Sequence, residues 1–196
     1  MTPLPPKRSV GPLVAVGIHP VLVVGCYDTD GSPNAMTAAW GGICSSQPPA
    51  VAVSVRPGRH THAGIAARRA FTVSVPSEDH VAETDFFGIA SGRDRNKFDA
   101  TGLTPIRAGM VDAPYVGEFP LVLECRLIAT LELGSHTQFV GEIVDARVDE
   151  ACLGEDGRPD LVHLRPFLYD VFDRGYHAVG PRVGEAYAAG RRYLTP

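Results

Sequence analysis

The sequence predicts a mainly β protein whose antiparallel strands form a barrel or a sandwich. Several segments alternate apolar and polar residues with the period of two that a half-buried strand requires, among them residues 50–56 and 70–76. The two longest such segments, 121–133 and 137–148, are separated only by a tight Gly-Ser-His connection. Helical segments do not alternate regularly with strands, so a doubly wound parallel sheet is disfavoured.

The first strand is expected within residues 20–28, which are β-rich and are followed by a segment dense in turn residues. The segment 50–56 has a clear two-faced pattern. Three valines point to one side, and small residues followed by an arginine point to the other, which predicts a flat, open second face. The first face carries Val51, Val53 and Val55, and the second carries Ala50, Ala52, Ser54 and Arg56.

The segment 121–133 is the longest strand candidate, because its odd-numbered residues are all apolar or small. We expect residues 137–148 to pair with it in antiparallel fashion, with a β-bulge at Gly141. Helices are expected to be few and short. The candidates are residues 59–68, 78–89 with Ser77 as N-cap, 93–100 and 183–189.

Bulk composition indicates one globular domain spanning residues 1–196, with residues 1–12 as a loosely ordered arm. The chain has 196 residues, 44% hydrophobic content and a formal charge of −4, which argues against disorder and against general nucleic-acid binding. No signal peptide or membrane span is expected. The four cysteines form no zinc or redox spacing, which favours reduced thiols and a cytoplasmic location.

An acid-free window extends from Asp30 to Glu78 and contains clustered arginines. In a chain of net negative charge, such a window predicts a local positive field. Ser54 and Arg56 point the same way on a strand, and a helix beginning near Arg59 would add backbone amides and the Thr61 hydroxyl as donors. A phosphate site is therefore one interpretation, and a solvated basic turn is the other. A metal site at histidines 60 and 62 lacks a third close ligand.

The segment Ser-Pro-Asn-Ala-Met-Thr-Ala-Ala-Trp-Gly-Gly, residues 32–42, mixes small apolar and polar residues. If it is the strand beside residues 50–56, its alanines face the same shallow surface, where a flat polar ring could lie. Gly41 and Gly42 would let the backbone approach such a ring closely. Plain core packing is the alternative for Met36 and Trp40.

Five sequence segments occur in the order typical of the flavin reductase-like family of FMN-binding split barrels, which the chain therefore resembles. They are GSPNAMTAAWGG, PPAVAVSVRPGRHTHAGI, FTVSVPS, SGRDRNKFDATGLT and FVGEIVDARV. The similarity is greatest to the flavoredoxin-type branch and extends from about residue 20 to the C-terminus. It implies a six-stranded antiparallel Greek-key split barrel with a few short peripheral helices, a homodimer, and FMN near the subunit interface.

The resemblance also implies a set of cofactor-binding residues. One group would line the isoalloxazine, a second would meet the ribityl phosphate, and a third would close the phosphate pocket. These are, in turn, Asn34, Met36, Thr37, Ala38, Ala39 and Trp40; Ser54, Val55, Arg56, Arg59 and Thr61; and Ser91, Gly92 and Lys97.

His136 lies in a Gly-x-His element that is often near the flavin in relatives, so it is the candidate catalytic residue, although a hairpin residue without a role is equally consistent. The chain departs from the family pattern at Asn96 and Ser135, where many relatives have Asp. The first change alters how Lys97 is held, and the second removes a carboxylate partner for His136. We hypothesise that hydride transfer needs no side-chain acid, because the expected surface consists of Ala, Ser, Thr and backbone.

Three functions are consistent with the sequence. The first is a reductase that uses NADH or NADPH to reduce FMN for an acceptor. The second is a flavoredoxin-like carrier that takes electrons from a redox protein partner. The third is a non-redox flavin-binding module.

Overall fold

Twelve strands form three antiparallel sheets in a computed structural model that describes residues 4–14 and 16–194. They are β1 (Ile18–Pro20), β2 (Leu22–Tyr27), β3 (Pro33–Ala38), β4 (Gly41–Ser46), β5 (Pro49–Val55), β6 (Ala70–Val75), β7 (Pro105–Arg107), β8 (Pro114–Val116), β9 (Leu121–Leu133), β10 (His136–Val148), β11 (Phe167–Asp170) and β12 (Gly175–Ala178). The main sheet has the order β3-β2-β6-β9-β10-β5-β4. A small sheet, β1-β11-β12, and the hairpin β7-β8 lie outside it. The predicted mainly β, antiparallel architecture is confirmed.

The main sheet is closed at a seam formed by β3 and β4, its two edge strands. Only Ala39 and Trp40 connect these strands, so the two edges must lie close together. The amide of Ser54 on β5 donates a 2.8 Å hydrogen bond to the carbonyl of Trp40. A Cβ on Gly41 would lie 2.9 Å from both the Ala52 carbonyl on β5 and a methyl of Leu22 on β2. The sheet therefore curls into a barrel.

This seam corrects one prediction about residues 32–42. The segment is not a single strand beside β5, because β3 pairs with β2 and only β4 pairs with β5. β3 and β4 are consecutive in the chain and change pairing partners at the seam. If these two are counted as one strand, the seven-stranded sheet has the six strands that the resemblance implies. The glycines also differ from expectation. Gly41 accommodates protein packing, whereas a Cβ on Gly42 would meet nothing within 4 Å.

The long ribbon of β9 and β10 contains the expected bulge. The register shifts between Val140 and Gly141, and the extra residue, Ile128, lies on the partner strand β9. A Cβ on Gly141 would be 2.5 Å from the ring of Phe71, so only glycine fits where that ring fills the barrel.

Two apolar clusters stabilise the fold, one inside the barrel and one between the barrel and its helices. Successive side chains of β2 point to opposite faces of the sheet, so Val24 packs in the first cluster and Val23 in the second. The open face predicted for the alanines of β5 is wrong, since Ala50 and Ala52 are only 1% and 7% exposed.

Four α-helices occur in the described residues, namely α1 (His60–Arg68), α2 (Val81–Ile89), α3 (Lys97–Thr101) and α4 (Leu161–Leu164). The helices predicted at residues 59–68 and 78–89 are confirmed, although a 3-10 turn, Glu78–His80, precedes α2 and the side chain of Ser77 makes no capping bond. The predicted helix at 93–100 begins only at Lys97, and 183–189 is not helical. No helix in the described ranges is long and apolar enough to cross a membrane.

Candidate functional site

A cavity of about 730 Å³ lies beside the seam of the barrel and is lined by both the main and the small sheet. This volume falls within the range of small-molecule and cofactor sites. The cavity brings together ten of the residues that the sequence singled out: Met36, Thr37, Ala38, Ala39, Trp40, Ser54, Val55, Arg56, Arg59 and His136. These residues are far apart in the chain, and the seam is what makes them neighbours.

One wall of the cavity is made of small side chains and backbone from the end of β3 and the seam. Ala38 and Ala39 leave this wall flat, while Met36 is 6% exposed and also packs in the barrel core. The ring of Trp40 stacks on His19, with 5.2 Å between ring centroids and 6° between planes. The Thr37 hydroxyl donates to the Thr84 carbonyl on α2 and fixes the wall from behind. Met36 therefore packs in the core and also lines the cavity.

The positive end of the cavity is formed by Arg56 at the end of β5 and Arg59 at the start of α1. Among the described residues, neither guanidinium has a carboxylate within 4.0 Å. Arg59 is the N-cap of α1, with extended backbone, and no side chain in the described ranges caps the first amides of this helix. Its first turn, His-Thr-His-Ala, contains no acid. Unpaired arginines and free helix amides at one place suit a bound anion.

The other two arginines of the acid-free window do not contribute to this end. Arg68 pairs with Asp112 at 3.2 Å and donates to the carbonyl of Asp28. Arg69 donates to the carbonyl of Leu127 at 3.4 Å. The window therefore predicts the positive end correctly, but only Arg56 and Arg59 form it.

Three predicted site residues, Asn34, Thr61 and Gly92, form a cluster outside the cavity lining, in which Asn34 and Thr61 are buried and Gly92 is partly exposed. The amide of Asn34 donates to the Thr61 hydroxyl at 2.9 Å, and the side-chain oxygen of Asn34 has no hydrogen-bond partner in the described part of the chain. A Cβ on Gly92 would lie 2.4 Å from that oxygen. Ser91 also lies outside the lining, and its hydroxyl accepts from the Arg93 amide at 3.2 Å.

Lys97 does not reach the cavity, and this corrects its expected place in the phosphate pocket. Its side chain is 4% exposed, and its ammonium donates 2.8 Å hydrogen bonds to the carbonyls of Ala35 on β3 and Phe87 on α2. Burial, followed by repulsion from Arg59, lowers the pKa of Lys97 from 10.5 to about 8. Asn96 accepts from the amides of two α3 residues, so Asn retains the capping function that Asp would have there.

His136 lies at the cavity beside Ser135, which the sequence did not mark as a lining residue. The Ser135 hydroxyl is 2.9 Å from Nδ1 of His136. The partner of the imidazole is thus a hydroxyl, which contacts the ring without adding charge. The histidines of the disfavoured metal site have separate partners, because His60 contacts Asp28 and His62 contacts Thr137.

Another wall of the cavity comes from the small sheet, and the sequence did not predict it. Tyr169, Arg174 and Tyr176 line it, and Asp85 of α2 completes it. The phenol of Tyr176 donates to the Asp85 carboxylate at 2.8 Å. The aromatic residues on both strands of the β11–β12 hairpin could have indicated a binding surface. No local sequence pattern, however, connects this hairpin with the seam residues, which lie more than a hundred positions earlier in the chain.

Comparison with known proteins identifies relatives for almost the whole chain. The family model for the flavin reductase like domain matches residues 18–179. The flavoredoxin of Desulfovibrio vulgaris (Miyazaki F) is 47% identical, with a TM-score of 0.90 over 94% of this chain and 99% of that one. A flavoredoxin from Methanosarcina acetivorans is 31% identical, with a TM-score of 0.90 over 96% and 100%.

A further relative carries an enzyme name. The NADH:riboflavin 5'-phosphate oxidoreductase of Streptomyces pristinaespiralis is 28% identical over 171 residues, which is 82% of this chain and 89% of the relative. The split-barrel architecture rests on the solved structures, among them a protein with a split barrel domain from Shewanella frigidimarina that is 25% identical, with a TM-score of 0.79 over 88% of this chain and 87% of that one.

Proposed function

Because the chain belongs to the flavin reductase-like family, we propose that it is an FMN-binding oxidoreductase that passes electrons from NADH or NADPH through FMN to an acceptor. One observation carries this proposal. A single cavity combines a flat wall of small residues at the seam with the unpaired guanidinium groups of Arg56 and Arg59. A phosphorylated aromatic ring requires both features.

The residues present fit FMN, which when bound supplies a hydride-accepting ring nitrogen. Arg56, Arg59 and the free amides of α1 would hold the phosphate, with the Ser54 hydroxyl as a further donor. Ala38 and Ala39 would leave room for the ring. Their backbone can donate and accept hydrogen bonds at the polar ring edge without adding bulk.

The protein's own part in the reaction is to bind, orient and shield. The seam wall and the small-sheet wall both line the cavity, which is partly open to solvent, so a bound ring would be shielded only on the faces that these walls cover. Among the described residues, His136 has a hydroxyl partner and no carboxylate within 4.0 Å that would support a proton-transfer role for it. We therefore expect His136→Ala to leave hydride transfer measurable once FMN is bound, and complete loss of transfer would contradict this expectation.

A flavoredoxin-like electron carrier is the second candidate, and the 47% identity to a flavoredoxin favours it. In this case FMN stays bound and a redox protein supplies the electrons. The two candidates predict the same FMN site, so they differ only in the electron donor.

The deciding experiment is an absorbance spectrum of the purified protein, followed by anaerobic addition of NADH and of NADPH in a stopped-flow instrument. A flavin spectrum that either nucleotide bleaches supports the reductase. A flavin spectrum that only dithionite bleaches supports the carrier. A colourless protein that does not take up added FMN overturns the proposal, because the reductase and the carrier both require bound FMN.

We also propose a homodimer in the cytoplasm. The far end of the β9–β10 ribbon exposes Ile128, Leu131 and Leu133 to 45–53%, and the last two share one face of β9. A second copy could cover such an apolar stripe. Light scattering of the wild type and of Leu131→Lys tests this, since the variant should shift toward monomer. The exposed free thiol of Cys44 is suited to a reducing compartment.

A further inference from the structure

A third arginine lines the cavity and belongs to a different part of the fold from the two already described. Arg174 lies in the turn between β11 and β12, whereas Arg56 and Arg59 come from the main sheet and α1. Among the described residues, Arg174 has no carboxylate within 4.0 Å. Three unpaired cations therefore line one cavity, and a single phosphate monoester does not need all of them.

The turn holds Arg174 in a defined position. Its φ of 62° is left-handed, which is unusual for a residue other than glycine and marks a constrained backbone. The two turn carboxylates are engaged elsewhere. Asp170 accepts from the amide of Phe172 and Asp173 from that of Gly175, both at 2.7 Å. The nearby acids thus shape the turn, and neither carboxylate lies within 4.0 Å of the Arg174 guanidinium.

The wall around Arg174 is aromatic and is fixed to the rest of the protein. Tyr169 and Tyr176 lie 5.8 Å apart between ring centroids, and both line the cavity. The bond from Tyr176 to Asp85 attaches this wall to α2 and occupies the only carboxylate among the described lining residues. The wall therefore offers one free cation beside flat apolar faces, a combination suited to a phosphate joined to a nucleoside.

We propose that Arg174 binds a phosphate of the reducing nicotinamide dinucleotide, with Tyr169 and Tyr176 as the adjoining contact surface. This rests on the proposed function, because it assigns the FMN phosphate to Arg56 and Arg59 and the dinucleotide to the wall formed by the small sheet. The dinucleotide contributes either its pyrophosphate or, in NADPH, the 2′-phosphate. Arg174 is thus a binding residue for the second substrate, and it discriminates between donors if the 2′-phosphate is its partner.

Binding measurements test this without relying on turnover. FMN-loaded wild type, Arg174→Ala, Arg174→Lys and the control Arg158→Ala, which removes an exposed arginine outside the cavity, are titrated calorimetrically with NAD+ and NADP+. The FMN dissociation constant of each apo-protein is measured by flavin fluorescence. We expect Arg174→Ala to weaken dinucleotide binding about tenfold, which is typical of one charge-assisted contact. FMN affinity should stay within about twofold, and Arg174→Lys should recover part of the loss.

Each outcome has a distinct meaning. If Arg174→Ala weakens the binding of both NAD+ and NADP+, Arg174 contacts the pyrophosphate. If it weakens the binding of NADP+ alone, Arg174 contacts the 2′-phosphate. Unchanged binding of both in Arg174→Ala overturns the inference, as does an equal loss of FMN affinity, which would place Arg174 in the FMN site. If wild type binds FMN but neither nucleotide, the inference fails while the FMN site stands. If wild type does not bind FMN, the proposed function itself fails.

Discussion

The phenol of Tyr176 donates a 2.8 Å hydrogen bond to the carboxylate of Asp85, and this bond joins the small sheet to α2 at the edge of the cavity. Burial raises the pKa of Tyr176 above its usual value of 10.0, and the hydrogen bond to Asp85 raises it further. The phenol thus remains a donor throughout the physiological range.

Tyr176→Phe should lower the free energy of unfolding by about 1–2 kcal/mol, because a hydrogen bond to a charged group is lost. Tyr169→Phe is the matched control, since the Tyr169 hydroxyl makes no hydrogen bond within the described residues. Urea denaturation measures both. Equal effects of the two substitutions would show that the Tyr176–Asp85 bond contributes nothing specific.

The same bond predicts a dependence on alkaline pH. Since the pKa of Tyr176 is higher in the folded than in the unfolded protein, the folded state retains its proton longer, and stability falls as pH rises above about 10. Unfolding free energies at pH 9.5–11 should fall less steeply for Tyr176→Phe than for wild type. Parallel curves would contradict the raised pKa.

Arg56→Ala and Arg59→Ala should each weaken FMN binding about tenfold to a hundredfold, the range for loss of one charge-assisted contact. Titration of apo-protein followed by flavin fluorescence measures this, with Arg158→Ala as the control. If neither substitution changes the dissociation constant, the phosphate does not bind at the start of α1.

Lys97→Met should destabilise the fold by about 2–4 kcal/mol, because the carbonyls of Ala35 and Phe87 lose their buried donor. The lowered pKa adds a pH signature. The pKa of Lys97 is about 8 in the folded protein and 10.5 in the unfolded protein. Between these pH values the unfolded state binds more protons than the folded state, so the free energy of unfolding of the wild type increases as the pH rises. Denaturation curves of Lys97→Met should lack this gain. A stable variant with weakened FMN affinity would instead return Lys97 to the phosphate site.

Gly41→Ala should cost about 1–3 kcal/mol, because its Cβ would press on the Ala52 carbonyl of the paired strand β5 and on Leu22 across the seam. Gly42→Ala is the matched control, since its Cβ would point into open space. Thermal unfolding of both variants measures the difference. A Gly41→Ala variant with the same melting temperature as Gly42→Ala would contradict the close packing around Gly41.

The sequence predicts the strands well because alternation is a local signal. Residues 121–133 and 137–148 pair as expected, and even the bulge at Gly141 can be predicted, since glycine in a long strand indicates one. Arg56 and Arg59 can be found from the charge pattern because they are close in the chain.

What the sequence does not reveal depends on distant partners. Nothing in residues 32–42 shows that β3 and β4 end at opposite edges of a closing sheet. Lys97 lies among charged residues on a helix of five residues, too short for a periodic pattern to reveal its burial. Arg174 lies in the turn of the separate small sheet, and only the folded chain brings it to the cavity that Arg56 also lines.

Ala39 and Trp40 both join the barrel edges and line the cavity, so the site and the closed barrel share the same two residues. Opening the seam would destroy the cavity, and a molecule bound there must be released before the barrel can open. Saturating ligand should accordingly raise the melting temperature of the entire barrel in a concentration-dependent way, instead of merely ordering a surface loop.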